Sequence, residues 1–309
     1  MNVLCNFDKQ LKLISKFNGV CLNIEEKCKL EIGLKELMAK TKNELLQFWG
    51  KITGEDSDYY IAVGINFTGH YGFPEKNFYY STPNFDFDVL PETFPYHDDD
   101  FTKYYYDPLK GNPDLIVKQY KIINLDGDNP EPEVKQDENE ENAKPKILDP
   151  DASVDDNAPK PEEPKENFTE KLKLSYLVRQ IDYDTSIIPE GAFVLTNEHE
   201  IRVNRSFKGL STNDITNKSK WMHFRPVSEN KAKELDEDDA VFKSNIFDSI
   251  NDDTVKGSWS LQLDTTKTSC NLRSLLWPGY FASHVGGTNL YCGVYIGNGM
   301  KRADLPFMI

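Results

Sequence analysis

A chain of 309 residues is long enough for one large domain or two ordinary ones, and its 38% apolar and 12% aromatic content excludes a wholly disordered polypeptide. A net charge of −15 argues against nucleic acid and against an anionic membrane surface, because both require clustered Lys and Arg. No apolar run approaches the ~20 residues that span a bilayer, no N-terminal stretch has the make-up of a secretory signal, and the five cysteines (Cys5, Cys21, Cys28, Cys270, Cys292) show no disulfide framework, so a soluble intracellular protein with reduced thiols is expected.

Residues 1–22 carry no clear pattern. Asn23 followed by Glu26 has the spacing of a capping box, in which each side chain satisfies the other residue's backbone N–H. The spacing predicts an amphipathic helix from there to about Thr41, with Cys28, Ile32, Leu34, Leu37 and Met38 on its apolar side. Gly33 counts against it by roughly 1 kcal/mol relative to Ala. Residues 45–54 and 59–67 are two β-prone runs joined by the polar turn Glu55-Asp56-Ser57-Asp58, which predicts a hairpin, with Phe78–Thr82 as a third strand. Residues 83–113, rich in Pro, Asp and rings, read as ordered loops.

Residues 126–166 are a different material. They hold 15 acidic side chains and 5 lysines, many prolines and no aromatic, so two thirds of the net charge is local. Such a stretch cannot bury enough apolar surface to offset ~1–2 kcal/mol per residue of backbone ordering, and it reads as a disordered acidic insertion acting as a solvated spacer. Asn167 and Glu170 repeat the capping spacing, and Leu174, Leu177, Val178 and Ile181 follow at helical period until Pro189. Gly191–Thr196 and Ile201–Asn204 flank Asn197-Glu198-His199-Glu200 as another hairpin, Trp221–Arg225 is a strand or an anchored loop, and Asp236–Asp239 is a solvated surface.

Near the C-terminus, Gly257–Leu263 alternates apolar and polar residues, Leu272–Leu276 is a short apolar run, and Leu290, Cys292, Val294 and Ile296 fall on one face of a further run. Three antiparallel strands in a meander are expected. Trp277-Pro278-Gly279 closes the middle one: proline pre-sets φ for the second position of a type II turn and glycine supplies the positive φ required next. The fold class is therefore α+β, a predominantly antiparallel sheet with a few packed helices. Residues 1–125 and 167–309 are read as two parts of a single body, with 126–166 as the insertion between them.

Chemistry is harder to find. Gly297-Asn298-Gly299 lacks the context of a dinucleotide loop. Cys21 and Cys28 have no companion pair, and His70, His97, His199, His223 and His284 are scattered, so no metal site is expected. Asp126–Pro130 lacks the glycine of a calcium loop. Ser283 and His284 are adjacent and on a strand point to opposite faces, so they cannot pair as nucleophile and base. Cys292 alternates inward with Val294 and Ile296 as an inert thiol. Trp49, Trp259 and Trp277 read as core, while some of the 15 tyrosines must face outward, where they favour protein contacts. No catalytic residue, cofactor or metal is assigned.

Phe48-Trp49-Gly50-Lys51-Ile52-Thr53-Gly54 with Asp58-Tyr59-Tyr60-Ile61 resembles the opening signature of radial spoke head proteins, and Leu272–Gly279 with Tyr295-Ile296-Gly297-Asn298-Gly299 resembles the closing one. Both are shared with the larger 4/6 type. Ile188–Phe193, Phe207–Leu210, His223-Phe224-Arg225 and Asp304–Met308 favour the shorter radial spoke head protein 9 type. The resemblance covers about 25–125 and 167–309; the acidic stretch departs from it. It implies a non-enzymatic structural subunit of the radial spoke head in the axoneme of cilia and flagella. Its implied partners are the 4/6-type subunit and other spoke head proteins, with the central pair apparatus met through the assembled head in the control of beating. A 4/6-type paralogue, a cytosolic adaptor and an unrecognised hydrolase are the rival classes.

Overall fold

In a computed structural model of the chain, the residues described are 3–4, 7–19, 21–67, 73–92, 106–121, 165–196, 198, 200–237 and 245–308. The strands are β1 (Val3–Leu4), β2 (Leu45–Ile52), β3 (Tyr59–Asn66), β4 (Glu75–Ser81), β5 (Asp88–Val89), β6 (Ile116–Lys121), β7 (Lys165–Thr169), β8 (Ile187–Pro189), β9 (Phe193–Leu195), β10 (Ile201–Val203), β11 (Trp221–His223), β12 (Trp259–Leu263), β13 (Ser269–Ser274), β14 (Tyr280–Val285) and β15 (Tyr291–Gly297). The helices are α1 (Phe7–Asn18), α2 (Ile24–Lys40), α3 (Glu170–Thr185), α4 (Glu229–Glu237) and α5 (Leu305–Met308). Residues 1–115 and 169–309 gather into one unit and 116–168 into a second. The strands of the second unit, β6 and β7, pair with each other as a two-stranded sheet.

The first unit is built on a nine-stranded sheet in the order β12-β13-β14-β15-β2-β3-β4-β5, with β1 beside β2. All pairings are antiparallel except β1–β2 and β15–β2. The α+β class, mostly antiparallel with a few helices, is the one expected. The parallel β15–β2 contact joins the last strand of the C-terminal meander to the first strand of the N-terminal hairpin. At Gly50 the backbones approach so closely that any Cβ would overlap the carbonyl oxygen of Tyr295.

Each face of the sheet has its own core. Leu46, Phe48, Tyr60, Ala62, Tyr79, Cys292 and Val294 pack with α1 and α2. Trp49, Ile52, Tyr59, Ile61, Val63, Phe78 and Tyr80 pack with α3 and the small sheets β8–β11 and β9–β10. A bulge in β2 makes this possible. The β2–β3 register skips Trp49 between Phe48 and Gly50, so Trp49 and Ile52, three apart, reach the same core.

Helix α2 begins as its sequence predicts. Asn23 Oδ1 accepts from Glu26 N and Glu26 Oε2 accepts from Asn23 N, both at 2.7 Å, and Thr41 caps the other end. Its buried face is Leu30, Gly33, Leu34 and Leu37. Cys28 and Ile32, expected on the apolar side, are exposed, because the helix turns Gly33 toward the Phe85–Phe87 segment. The second capping box does not form: α3 starts at Glu170 after Thr169, whose side chain makes no capping bond, and Asn167 lies in β7. The acidic stretch likewise stops short of 166, since β7 opens at Lys165; its remainder lies outside the described residues.

The C-terminal meander has four strands where three were expected. The middle run ends at Ser274, not Leu276, and β14 follows the Trp-Pro-Gly turn. Phe281 and His284 obscure the alternation of β14 because both faces of that strand are covered. The turn itself is as expected: Tyr280 N donates to Trp277 O at 3.2 Å and Gly279 sits at φ +108°. Helices α1 and α4, the latter running into the acidic residues read as surface, had no sequence signature. In the β9–β10 connection, Asn197 and His199 lie outside the described residues, as do Cys5, His70, His97, Asp238, Asp239 and the candidate calcium loop 126–130.

Candidate functional site

The polar chemistry of the first unit converges on α3. At its N-terminus, buried Glu170 accepts from Tyr59 Oη (2.7 Å), Lys110 N (3.0 Å) and Gly111 N (2.6 Å). At its C-terminus, Asp182 accepts from Trp49 Nε1 (3.1 Å) and from Lys76 Nζ, which also donates to Phe224 O at 2.6 Å. Asp184 accepts from Trp277 Nε1 (2.8 Å) and Lys301 Nζ (3.0 Å). A fourth carboxylate, Asp253, accepts from Trp259 Nε1 (2.8 Å) and lies 2.7 Å from His223 Nε2. Burial alone would raise the pKa of Asp253, but the bonds from His223 and Trp259 outweigh it and hold the carboxyl below its ordinary value.

Three of the four tryptophans thus end on a carboxylate, while Trp221 donates to Ile215 O. All four rings are buried, as read for Trp49, Trp259 and Trp277. Sequence reasoning missed the carboxylates that hold them. The signal was faint: Asp182 and Asp184 interrupt an apolar helical period at its last turn.

The residues weighed for catalysis are occupied elsewhere. Ser283 Oγ donates to Asn271 Oδ1 at 2.9 Å. His284 points away from it, accepting from Leu210 N at 3.1 Å through Nε2 and lying 3.0 Å from Leu290 O through Nδ1. That pairing assigns the proton to Nδ1, and burial holds the imidazole below its ordinary pKa. Burial also pushes the Cys270 thiol up to about 12. Cys292 is buried and its thiol lies 3.9 Å from Ser283 O. Cys21 and Cys28 are exposed. The other nitrogen of His223, Nδ1, is buried without a hydrogen-bond partner, and nothing in the fold accounts for it.

A cavity of about 320 Å³ is lined by Gln47, Trp49, Lys76, Asp182, Phe193 and Tyr280 among others. Its charged side chains are the Lys76–Asp182 ion pair and Arg205. Burial pushes the Tyr280 phenol up, far from neutrality. The wall mixes polar side chains such as Gln47 and Asn204 with apolar ones such as Phe193. Among the described residues no group of His, Cys, Asp and Glu is spaced to hold a metal ion, and no helix is long and apolar enough to cross a membrane.

Apolar side chains also face outward. Ile24 is 81% exposed, Ile32 59%, Phe307 90% and Met308 71%. Ile24, Cys28 and Ile32 form one stripe at four-residue spacing on α2, between the ion pairs Glu25–Lys29 and Glu31–Lys35, both 2.7 Å.

The family model described as a radial spokehead-like protein matches residues 6–186, more than half of the chain. This chain belongs to the radial spokehead-like family. Similarity to members of that family runs nearly the whole length. The radial spoke head protein 9 homolog of Homo sapiens is 30% identical over 296 residues, covering 94% of this chain and 95% of the relative. Those of Bos taurus and Danio rerio are 30% and 29% identical over 293 residues with the same coverage. The resemblance to the protein 9 type thus stands.

The spokehead motifs acquire physical meaning in the fold. Phe48–Gly54 is the bulged half of β2 that turns Trp49 onto Asp182. Leu272–Gly279 is β13 and the turn that seats Trp277 on Asp184. Phe207–Leu210 stacks on and donates to His284. His223-Phe224-Arg225 ends β11 against Asp253. The opening and closing motifs also meet directly, where the Trp49 ring packs on Tyr295 at 5.5 Å.

Proposed function

We propose that this spokehead-family chain is a structural, non-enzymatic subunit of the radial spoke head in the axoneme of cilia or flagella. It assembles with the 4/6-type head subunit and other spoke head proteins, and meets the central pair apparatus through the assembled head, contributing to control of the beat. The observation that carries this reading is the co-linear match, 94% of this chain against 95% of a protein named for the spoke head. Two features support it. Buried carboxylates serve as anchors for tryptophans, and large apolar side chains on α2 and α5 face outward, where an assembly partner would cover them. We further propose that 1–125 and 167–309 act as one cooperative body and that the 126–166 insertion, up to the start of β7 at Lys165, is a spacer.

The test is deletion of the gene in a ciliated cell, read by electron tomography of the axoneme and by waveform. Cilia should form but beat abnormally and lack spoke head density, both restored by the intact gene. Normal beating with intact heads would overturn the proposal.

A further inference from the structure

On the sheet face that carries α3 lies a second cavity, about 240 Å³, in which cations outnumber carboxylates. Three cations line it, Lys76, Arg179 and Arg225, against one carboxylate, Asp182. On a chain of net charge −15 this is a cationic island. Lys76 is committed to Asp182. Arg225 is held in place by a 2.9 Å bond to Tyr183 O, with its guanidinium 4.5 Å from the Tyr183 ring and 3.9 Å from Asp253.

Arg179 is different. Among the described residues no carboxylate lies within ion-pair distance of it. Its one hydrogen bond is a long one, 3.4 Å from Nη2 to Pro91 O, and its guanidinium lies 5.3 Å from the Phe78 ring. Its Nε is buried with no partner at all. Burial depresses the guanidinium's pKa, and the charges of Glu92 and Asp182, neither of them within ion-pair distance, oppose it without cancelling it. Arg179 is half-buried, and a partly desolvated charge without an ion pair costs stability in the free chain. Its planar fork matches a carboxylate in two parallel bonds. At the mouth of the cavity stand half-buried Phe73 and exposed Pro226, with Phe78 and Pro74 buried behind them, and an aromatic ring at such a mouth can receive extended, proline-bearing backbone.

We infer that this cavity is a docking site for an acidic, proline-bearing segment of another polypeptide, whose carboxylate pairs with Arg179 while a proline lies against Phe73 and Pro226. The inference goes beyond spoke head membership and does not depend on it. The site uses none of the anchors that hold the tryptophans except Asp182, which Lys76 neutralises.

The experiment is fluorescence anisotropy of the full chain with a short labelled peptide of alternating glutamate and proline, beside its glutamine counterpart. The glutamate peptide should bind and the glutamine peptide should not, with binding weakening as salt rises. Arg179→Met should lose roughly tenfold to a hundredfold in affinity while its melting temperature rises by about 2–4 °C, because a half-buried guanidinium with no ion pair has gone. Arg179→Lys, which keeps the charge but not the fork, should also bind weakly. Equal binding of both peptides, or binding by Arg179→Met as tight as by the parent chain, overturns the site. A fall in melting temperature with unchanged binding shows Arg179 to be a structural strut and overturns it too. In a chain lacking residues 126–164, unchanged affinity supports an external partner. Much tighter binding would mean that the chain's own acidic stretch fills the cavity, and would overturn that assignment.

Discussion

Asp182 and Asp184 sit in the last turn of α3, where the helix already carries partial negative charge and no basic residue of its own turn offsets it. Each therefore depends on a cation from elsewhere in the fold, Lys76 from β4 and Lys301 from the C-terminal segment. The Lys76–Asp182 pair is the more buried, with about a tenth of either side chain exposed (10% and 11%). Lys76→Met leaves Asp182 with the Trp49 N–H alone, and should cost about 3 kcal/mol in urea unfolding, because a stranded buried carboxylate is the expensive outcome. A loss under ~1 kcal/mol would show that the indole alone suffices. His284 gives the chain an acid sensitivity. Its folded pKa lies below its unfolded value of 6.5, chiefly through burial. Below that value the unfolded state takes up the proton more readily, so stability falls as pH drops through and below about 6.5. His284→Asn keeps a donor for Leu290 O and cannot titrate; it should be less stable at neutral pH yet show a shallower decline between about pH 7 and 5. Parallel pH profiles for the two chains would refute this.

At the scale of elements, two effects compete at Gly33. Helix propensity favours Ala over Gly by roughly 1 kcal/mol. A Cβ there, however, would lie 2.5 Å from Phe85 O and 3.2 Å from the Phe87 ring, and a backbone oxygen cannot swing away as a side chain can. Sterics should win, so Gly33→Ala lowers stability by about 1–3 kcal/mol; a stabilised variant in denaturant titration would show that α2 can slide. Asn23–Glu26 was legible as a cap because its two bonds lie within four consecutive residues. Glu26 also accepts from Lys51 (2.8 Å) and Tyr60 (2.7 Å), which tie α2 to β2 and β3. That second role was not legible, since its partners lie 25 and 34 residues away. The same spacing at Asn167–Glu170 misled because Glu170 is drawn inward by Tyr59 and the Lys110–Gly111 backbone instead. Strand β14 was hidden for a related reason. Its Phe281 and Ala282 serve opposite cores, so no polar face marks it.

For the whole molecule, the acidic stretch is the test of how far composition alone can be trusted. Removing residues 126–164, while keeping β7, should leave the cooperative melting of the remaining body within about 2 °C of the parent. A large fall would mean that the stretch contributes to packing. Local patterns in the sequence determined the α+β class, the β2–β3 and β9–β10 hairpins, the cap of α2, the Trp-Pro-Gly turn and the family, because each depends on neighbours within a few residues or on a motif in order. Only the tertiary structure decided that β15 lies parallel to β2, that a bulge turns Trp49 to the opposite core from Phe48, and that α3 receives two tryptophans on its terminal aspartates while Arg179 is left unpaired. These depend on groups far apart in the chain, and a charged residue in a helical period reads the same whether it meets water, an indole or an empty pocket.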